Sequence, residues 1–396
     1  MILTGYDLRG IFKKDLTLDI IYDVVGEFFK KLNIKDALLA VDTNKNNWFI
    51  KDFLKKNFSF QFLGILPTPI FYYEVIKRKK PGVMITASHL PLKYSGLKFI
   101  LSNGEPWKPK SAYLVKRRRI KNDKYYLNQP TLTNIRIDQF KNLNLSLYNN
   151  YFSYLRKIIK PKKKIYVNFD KKNFFLNFSL PFFQKLKIYH RNNSFIKIKS
   201  DLDNDRIFIF IKNKKIHNDL VFYYLAKFGP YQKLGVPFFF SQKLKNELLK
   251  IGKKIFFIKT GHYFFKKAYK KHNLDLAFEP SGHFYMFKDI KTESPYLSLG
   301  LFLFLIADKN FNDLLKLNSF LQLYRFNFKK KKNIAQIVFW LQKKFSLKLR
   351  KFDGYLLFNQ NFYLHLRQSK TEDKIRVSYE GSRKYLKEIK KWLMNI

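Results

Sequence analysis

Residues 18–41 read L-D-I-I-Y-D-V-V-G-E-F-F-K-K-L-N-I-K-D-A-L-L-A-V. Ile20, Ile21, Val24, Val25, Phe28 and Phe29 recur at the spacing of one helical face, which predicts an amphipathic helix over Leu18–Leu32. Ala37–Val41 is apolar without alternation, the pattern of a strand covered on both faces. A similar short run at 83–85 predicts another buried strand. Apolar strands interleaved with an amphipathic helix predict an α/β domain with a mixed or parallel sheet.

The same reading extends downstream. Residues 108–136 are polar and basic, a candidate linker. Strands are expected at 164–169 and 206–211 in a second unit. A third unit carries a helix at 220–228, a strand at 254–259 and a long apolar helix after Pro295. The C-terminal part holds a helix at 333–345, strands at Tyr355–Phe358, 361–366 and 374–379, and a terminal helix from Ser382, an α+β pattern. No internal repeat is visible.

The chain has 396 residues, 46% of them hydrophobic, which excludes bulk disorder. It has no cysteine, which excludes disulfides, thiolate zinc centres, iron–sulfur clusters and cysteine nucleophiles. Lys+Arg number 78 against 29 Asp+Glu, a net charge of +49. Such a balance ordinarily points to a polyanionic partner. Here the lysines are spread over the whole length, with short runs at 77–80, 116–119, 162–164 and 329–332 and no zinc-finger, RRM or homeodomain pattern around them. Phe (44) and Tyr (25) are elevated together with Lys, Asn and Ile, residues that share A/T-rich codons. The charge therefore reads as genome composition, and no specific nucleic-acid partner is expected. The longest apolar run, 296–307, is interrupted by Ser298 and Gly300 and is shorter than the ~20 residues of a membrane span. The opening M-I-L-T-G-Y-D-L-R-G lacks the basic and apolar regions of a signal peptide. No membrane association is expected, and the location is expected to be cytoplasmic.

Four segments carry chemistry. Thr86-Ala87-Ser88-His89-Leu90-Pro91 follows an apolar strand, where α/β folds present reactive groups. Ser88 suits a nucleophile with His89 beside it; a polar turn closed by Pro91 is the plainer alternative. Asp201-Leu202-Asp203-Asn204-Asp205-Arg206 has carboxylates at alternate positions, which project to one side of an extended loop. They form an oxygen-only donor set suited to Mg²⁺ or Ca²⁺ rather than zinc, unless the segment is a solvated acidic turn. An EF-hand is excluded, because Arg206 and Lys212 stand where its Gly and Glu are required. Glu279-Pro280-Ser281-Gly282-His283 offers a carboxylate, a hydroxyl and an imidazole to vicinal hydroxyls, or is an ordinary Pro-Ser-Gly turn. Arg367-Gln368-Ser369-Lys370-Thr371-Glu372, with Lys374 and Arg376 beyond it, has the donors of a phosphate cradle, or of one more basic surface loop.

In this order and with these spacings, the segments resemble those of the α-D-phosphohexomutase family, in its phosphomannomutase/phosphoglucomutase branch, whose members isomerise hexose 1-phosphates and 6-phosphates. The Ser88 segment resembles the phosphoserine loop T-A-S-H-N-P, and the Asp201 segment resembles the metal loop D-G-D-G-D-R. Residues 279–283 resemble the sugar loop G-E-x-S-G-H, and residues 367–371 the phosphate loop R-x-S-x-T. Tyr6-Asp7-Leu8-Arg9-Gly10 is similar to Y-D-I-R-G, Gly96-Leu97-Lys98 to G-F-K, and Lys259-Thr260-Gly261-His262 to K-T/V-G-H. The likeness spans residues 6–381. The departures are Leu90 in place of Asn, Leu202 and Asn204 in place of the metal-loop glycines, and Phe278 where Gly is usual. The metal loop must therefore avoid positive φ or tolerate strain. Phe169-Asp170-Lys171-Lys172 replaces a Gly-rich turn in a shortened second domain. Phe238-Phe239-Phe240-Ser241-Gln242-Lys243 stands where the family has D-V-K-x-S, and no role is carried over to Lys243.

The resemblance implies an α/β fold of four domains around a central cleft, three α/β domains with mixed sheets and a C-terminal α+β domain. Their bounds here are 1–130, 131–212, 213–318 and 319–396. It implies an intramolecular phosphotransferase with Mg²⁺ as cofactor, a phosphosugar as substrate, and hexose 1,6-bisphosphate as intermediate and activator. Ser88 carries the phosphoryl group in this reading, and Ser88, Asp201, Asp203 and Asp205 hold the metal. Arg9, His89, Lys98 and His262 serve proton transfer and charge stabilisation. Arg206, Glu279, Ser281, His283, Arg367, Ser369, Lys370 and Thr371 bind the substrate. The Y-D-L-R-G opening favours mannose and glucose phosphates. The alternatives are a phosphoglucosamine mutase and, from a different class, a decayed mutase retained as a basic RNA-binding protein.

Overall fold

The computed structural model describes residues 2–4, 7–88, 90–91, 93–109, 143–307, 309–329, 333–369 and 374–394. The expected linker at 108–136 lies, beyond its first two residues, outside the described residues. The chain divides into two compact units. The first comprises residues 1–158, 170–186 and 200–205; the second comprises 159–169, 187–199 and 206–396.

Six strands form the sheet of the first unit: β1 (Ile2–Thr4), β2 (Asp7–Ile11), β3 (Ala37–Val41), β4 (Phe60–Ile65), β5 (Gly82–Ile85) and β6 (Tyr94–Ile100), in the order β1-β2-β6-β5-β3-β4. β3 runs parallel to β4 and β5, whereas β6 runs antiparallel to β5 and β2, so the sheet is mixed. β3 and β5 are buried at every residue, as their unbroken apolar runs require. Helices α1 (Leu18–Leu32), α2 (Lys45–Asn57) and α3 (Thr68–Arg78) connect the strands. Thr17 caps α1 by accepting the Ile20 N–H, Lys30 and Lys31 sit in its last turn, and Asn33 closes it at φ 49. Its stripe of Leu18, Ile21, Val24, Val25 and Phe28 is buried in one cluster with β3 and β5 residues. Each such side chain contributes about 1.5–3 kcal/mol of hydrophobic stabilisation. Gly96 of β6 is a position of close approach, since a Cβ there would meet the Leu8 carbonyl oxygen at 2.7 Å and that of Thr86 at 2.8 Å. Helix α4 (Leu145–Ile159) follows and packs Tyr148 and Phe152 against Phe178, Phe182 and Phe183.

The second sheet contains β7 (Ile165–Phe169), β8 (Ile188–His190), β9 (Ile196–Ser200), β10 (Ile207–Ile211) and β11 (Lys214–Lys215), ordered β11-β10-β9-β7-β8. The loop between β9 and β10 is the acidic segment 201–206. The third sheet, β12 (Lys233–Pro237), β13 (Lys254–Ile258), β14 (Leu276–Phe278) and β15 (Phe284–Tyr285), runs β13-β12-β14-β15, parallel except at β15. The helix Pro295–Ile306 beside it is apolar all round and largely buried. The fourth sheet is antiparallel throughout: β16 (Leu323–Lys329), β17 (Lys348–Lys351), β18 (Tyr355–Phe358), β19 (Phe362–Gln368) and β20 (Lys374–Gly381), ordered β16-β20-β19-β18-β17. Helices Ile334–Phe345 and Arg383–Met394 bury Ile337, Leu341, Leu386 and Ile389 in one cluster with its strands. Three mixed sheets with interspersed helices and one antiparallel α+β unit are the expected fold class. Among the described residues, no helix is long and apolar enough to cross a membrane.

Candidate active site

Asp42, Thr68 and the Thr86–Ser88 loop follow the carboxyl ends of β3, β4 and β5, the edge where parallel strands present ligand-binding loops. Asp203 docks on this edge. Thr68, the first residue of α3, donates its N–H to the Asp203 carbonyl (2.9 Å) and its hydroxyl to Asp203 Oδ2 (3.0 Å). The acidic residue is thus held at the positive end of a helix. Thr86 Oγ1 stands 3.3 Å from the same Oδ2 and accepts the Ser88 N–H at 2.9 Å. That turn holds Ser88 at φ 55, a left-handed conformation costing a non-glycine residue about 1–2 kcal/mol. Ser88 Oγ lies 3.5 Å from Asp201 Oδ2. The acidic loop is tied down by Asn173, whose amide donates to the Asp201 carbonyl (2.6 Å). Of the two residues replacing glycine in it, Asn204 takes φ 53, which asparagine tolerates better than most side chains, and Leu202 is not left-handed.

Asp201, Asp203 and Asp205 each offer an oxygen within 4.8 Å of the others. Lys98 of β6 points its Nζ at Asp203 Oδ2 (2.8 Å) and Asp205 Oδ2 (2.6 Å). Burial pulls this lysine down, but Asp203 and Asp205 outweigh burial and hold the ammonium well above the usual lysine range. Asp203 and Asp205 are almost wholly buried, where a carboxylate needs a positive partner because unpaired buried charge costs several kcal/mol per ion. Asp203 Oδ1 accepts no hydrogen bond among the described residues. A divalent cation that prefers hard oxygen ligands fits both the three converging carboxylates and the Asp203 oxygen left without a hydrogen bond, so the cluster could hold a metal ion. Asp42 lies in the same neighbourhood, fully buried. Burial pushes its carboxyl up to about 6, although the Asn44 N–H and the Thr86 and Asn47 side chains oppose the shift.

In the second unit, the Glu279 N–H donates to the His283 carbonyl and the Gly282 N–H to the Glu279 carbonyl, each at 2.9 Å, closing a tight turn between β14 and β15. Gly282 sits at φ 109, where a Cβ would press on Arg206 Cβ and the Ile207 carbonyl at 3.2 Å. Arg206 Nε donates to His283 Nε2 at 3.0 Å. Tyr285 donates its hydroxyl to Glu279 Oε1 (2.6 Å), and His262 Nδ1 lies 3.2 Å from the same hydroxyl. Asp353 Oδ2 accepts the Thr260 N–H (2.7 Å) and stands 4.0 Å from Arg367 Nε. One carboxylate therefore gathers the K-T-G-H segment and the start of the basic loop. Ser369 closes the base of that loop, donating its N–H to the Lys374 carbonyl at 2.8 Å.

Of the residues singled out in the sequence, the first unit brings together Ser88, Lys98, Asp201, Asp203 and Asp205. Arg9 is buried on β2, paired with Asp7 (2.7 Å) and opposite Gly96. The second unit gathers Arg206, His262, Glu279, Ser281 and His283 around one turn, and Arg367 beside Thr260. His89, Lys370 and Thr371 lie outside the described residues. Sequence reasoning missed Asp42, Thr68, Asn173, Tyr285 and Asp353. Only Thr68 carried a signal, a Thr-Pro pair opening a helix directly after an apolar strand.

A family model described as phosphoglucomutase/phosphomannomutase, alpha/beta/alpha domain I, matches residues 1–126, and the corresponding domain III model matches 220–324. The chain is 26% identical to the phosphomannomutase of Methanocaldococcus jannaschii, over 96% of this chain and 94% of that relative. It is 24% identical to the phosphoglucosamine mutase of Dictyoglomus turgidum, over 96% and 95%. Its fold is similar to that of a phosphoglucomutase/phosphomannomutase family protein from Burkholderia thailandensis, with a TM-score of 0.73 at 16% identity over 99% of this chain and 96% of that one.

Proposed function

Since this chain belongs to the phosphoglucomutase/phosphomannomutase family of phosphohexomutases, and is thereby a phosphotransferase isomerase, we propose that it interconverts hexose 1-phosphate and hexose 6-phosphate through a phosphoserine at Ser88. The observation that carries this reading is the position of Ser88 Oγ, 3.5 Å from a carboxylate of the three-aspartate cluster. In the resting enzyme Ser88 bears a phosphoryl group. A free sugar hydroxyl attacks its phosphorus, the bond to Ser88 Oγ breaks, and the hydroxyl proton passes to a base. The product is a hexose 1,6-bisphosphate, which reorients and returns its other phosphoryl group to Ser88 with the reverse proton transfer.

Asp201, Asp203 and Asp205, with an oxygen of the phosphoserine, would hold Mg²⁺, whose chemistry when bound is to withdraw charge from the transferring group. Lys98 is an ammonium without a lone pair, so its part is charge stabilisation rather than proton acceptance. Arg9, His89 and His262 remain the candidates for proton transfer. Arg367, Ser369, Lys370 and Thr371 clamp the phosphate already on the sugar, while Arg206, Glu279, Ser281 and His283 hold its hydroxyls. Four domains at 1–130, 131–212, 213–318 and 319–396 belong to this proposal, supported by a sheet apiece, the second running on to Lys215.

Mannose and glucose phosphates are the proposed substrates, supported by the Y-D-L-R-G opening. A glucosamine phosphate is the second reading, favoured by the similarity to the D. turgidum enzyme. Intact-mass spectrometry with peptide mapping should find one phosphate on Ser88, and Ser88→Ala should lose it together with turnover while keeping its thermal midpoint. A coupled assay offering mannose, glucose and glucosamine 1-phosphates with Mg²⁺ separates the substrates. Substantial turnover by Ser88→Ala would refute the phosphoserine.

A further inference from the structure

Tyr285 is wholly buried between β14 and the helix His262–His272, its ring stacked on Phe265 at 5.0 Å and on Phe287 at 5.5 Å. Its hydroxyl donates to Glu279 Oε1 at 2.6 Å, and His262 Nδ1 lies 3.2 Å from the same hydroxyl oxygen. The other ring nitrogen, Nε2, lies 2.9 Å from Oε1 of Glu293, a buried carboxylate. Glu293 Oε2 takes the Thr292 hydroxyl at 2.8 Å and lies 3.2 Å from Lys266 Nζ. Burial pushes Glu293 up, but His262 and Lys266 hold it well below the usual carboxylate range.

The one hydrogen of the Tyr285 hydroxyl goes to Glu279 Oε1, so a wholly buried, ring-stacked side chain holds one oxygen of the carboxylate.

We propose that Tyr285 is a positioning residue for the sugar-binding carboxylate, fixing Glu279 Oε1 through its hydroxyl and leaving Oε2 for sugar hydroxyls. This rests on the reading of Glu279 as a sugar ligand given above. It assigns a role to Tyr285.

The test combines steady-state kinetics with calorimetric binding on the full chain. Tyr285→Phe keeps the ring stack and should fold, as a thermal midpoint verifies. It should raise KM for the preferred hexose phosphate about 10- to 100-fold, the range expected for a lost hydrogen bond to a charged group, with kcat changed far less. An unchanged KM in Tyr285→Phe overturns the proposal. Absence of wild-type turnover on any hexose phosphate would instead sink the functional reading, while an affinity for hexose 6-phosphate that is the same in Tyr285→Phe and wild type would still overturn this one.

Discussion

Asp203 shows how much one residue can depend on distant partners. Thr68 and Thr86 both donate toward its Oδ2, Lys98 reaches the same oxygen, and Oδ1 has no partner among the described residues. Asp203→Asn retains an acceptor for the threonines but removes a third of the cluster's negative charge. Turnover and its dependence on Mg²⁺ concentration should fall together in steady-state assays, and an unchanged rate would argue against a metal there. Asp42 gives a second residue-scale prediction. Burial raises its carboxyl from the ordinary 3.8 to about 6 in the fold. The folded chain binds that proton more tightly than the open chain. The contribution is therefore full below pH 3.8 and is lost as pH rises through about 6. With chelator present, the stability of Asp42→Asn relative to wild type should rise by about 3 kcal/mol from acid to neutral pH. Urea midpoints measure this, and a pH-independent difference would show that the aspartate is not buried as described.

Elements in this protein are finished by residues from elsewhere in the chain. The helix Gln242–Lys250 is capped by Ser241, whose Oγ accepts the Leu244 N–H. Glu380 of β20 then accepts the Ser241 hydroxyl (2.8 Å) and the Gln242 N–H (2.7 Å), so a carboxylate of the fourth sheet closes a helix of the third. Glu380→Ala strands those donors and should cost about 2–4 kcal/mol, read from the urea midpoint, with Glu380→Gln costing less. This is also where Lys243, given no role from the sequence, turns away to donate to the Phe320 carbonyl (2.7 Å). Strands such as β3, β5 and β18 were legible because burial on both faces leaves an unbroken apolar run. β17 was not, because K-L-R-K is exposed at all four residues and exists as a strand only by pairing with β18.

For the whole molecule, the net charge of +49 must act on any phosphorylated substrate. Raising salt from about 0.01 M to 1 M shortens the Debye length from about 30 Å to about 3 Å. kcat/KM for a hexose phosphate should fall by about tenfold or more, while inhibition by the unphosphorylated hexose stays level. A salt-insensitive kcat/KM would leave the charge as composition alone. The amino-acid order alone was enough for the α/β and α+β segments, the acidic loop, the serine loop and their family. Periodicity and the grouping of reactive side chains are local properties that need no knowledge of the folded path. The charge balance of the cluster and the identity of its supports were decided only on folding. Thr68 and Asp203 are 135 residues apart in the chain, and Lys98 and Asp205 are 107 apart. Contacts at such separations follow from how strands and loops close on one another, and no short-range pattern encodes a distance between them.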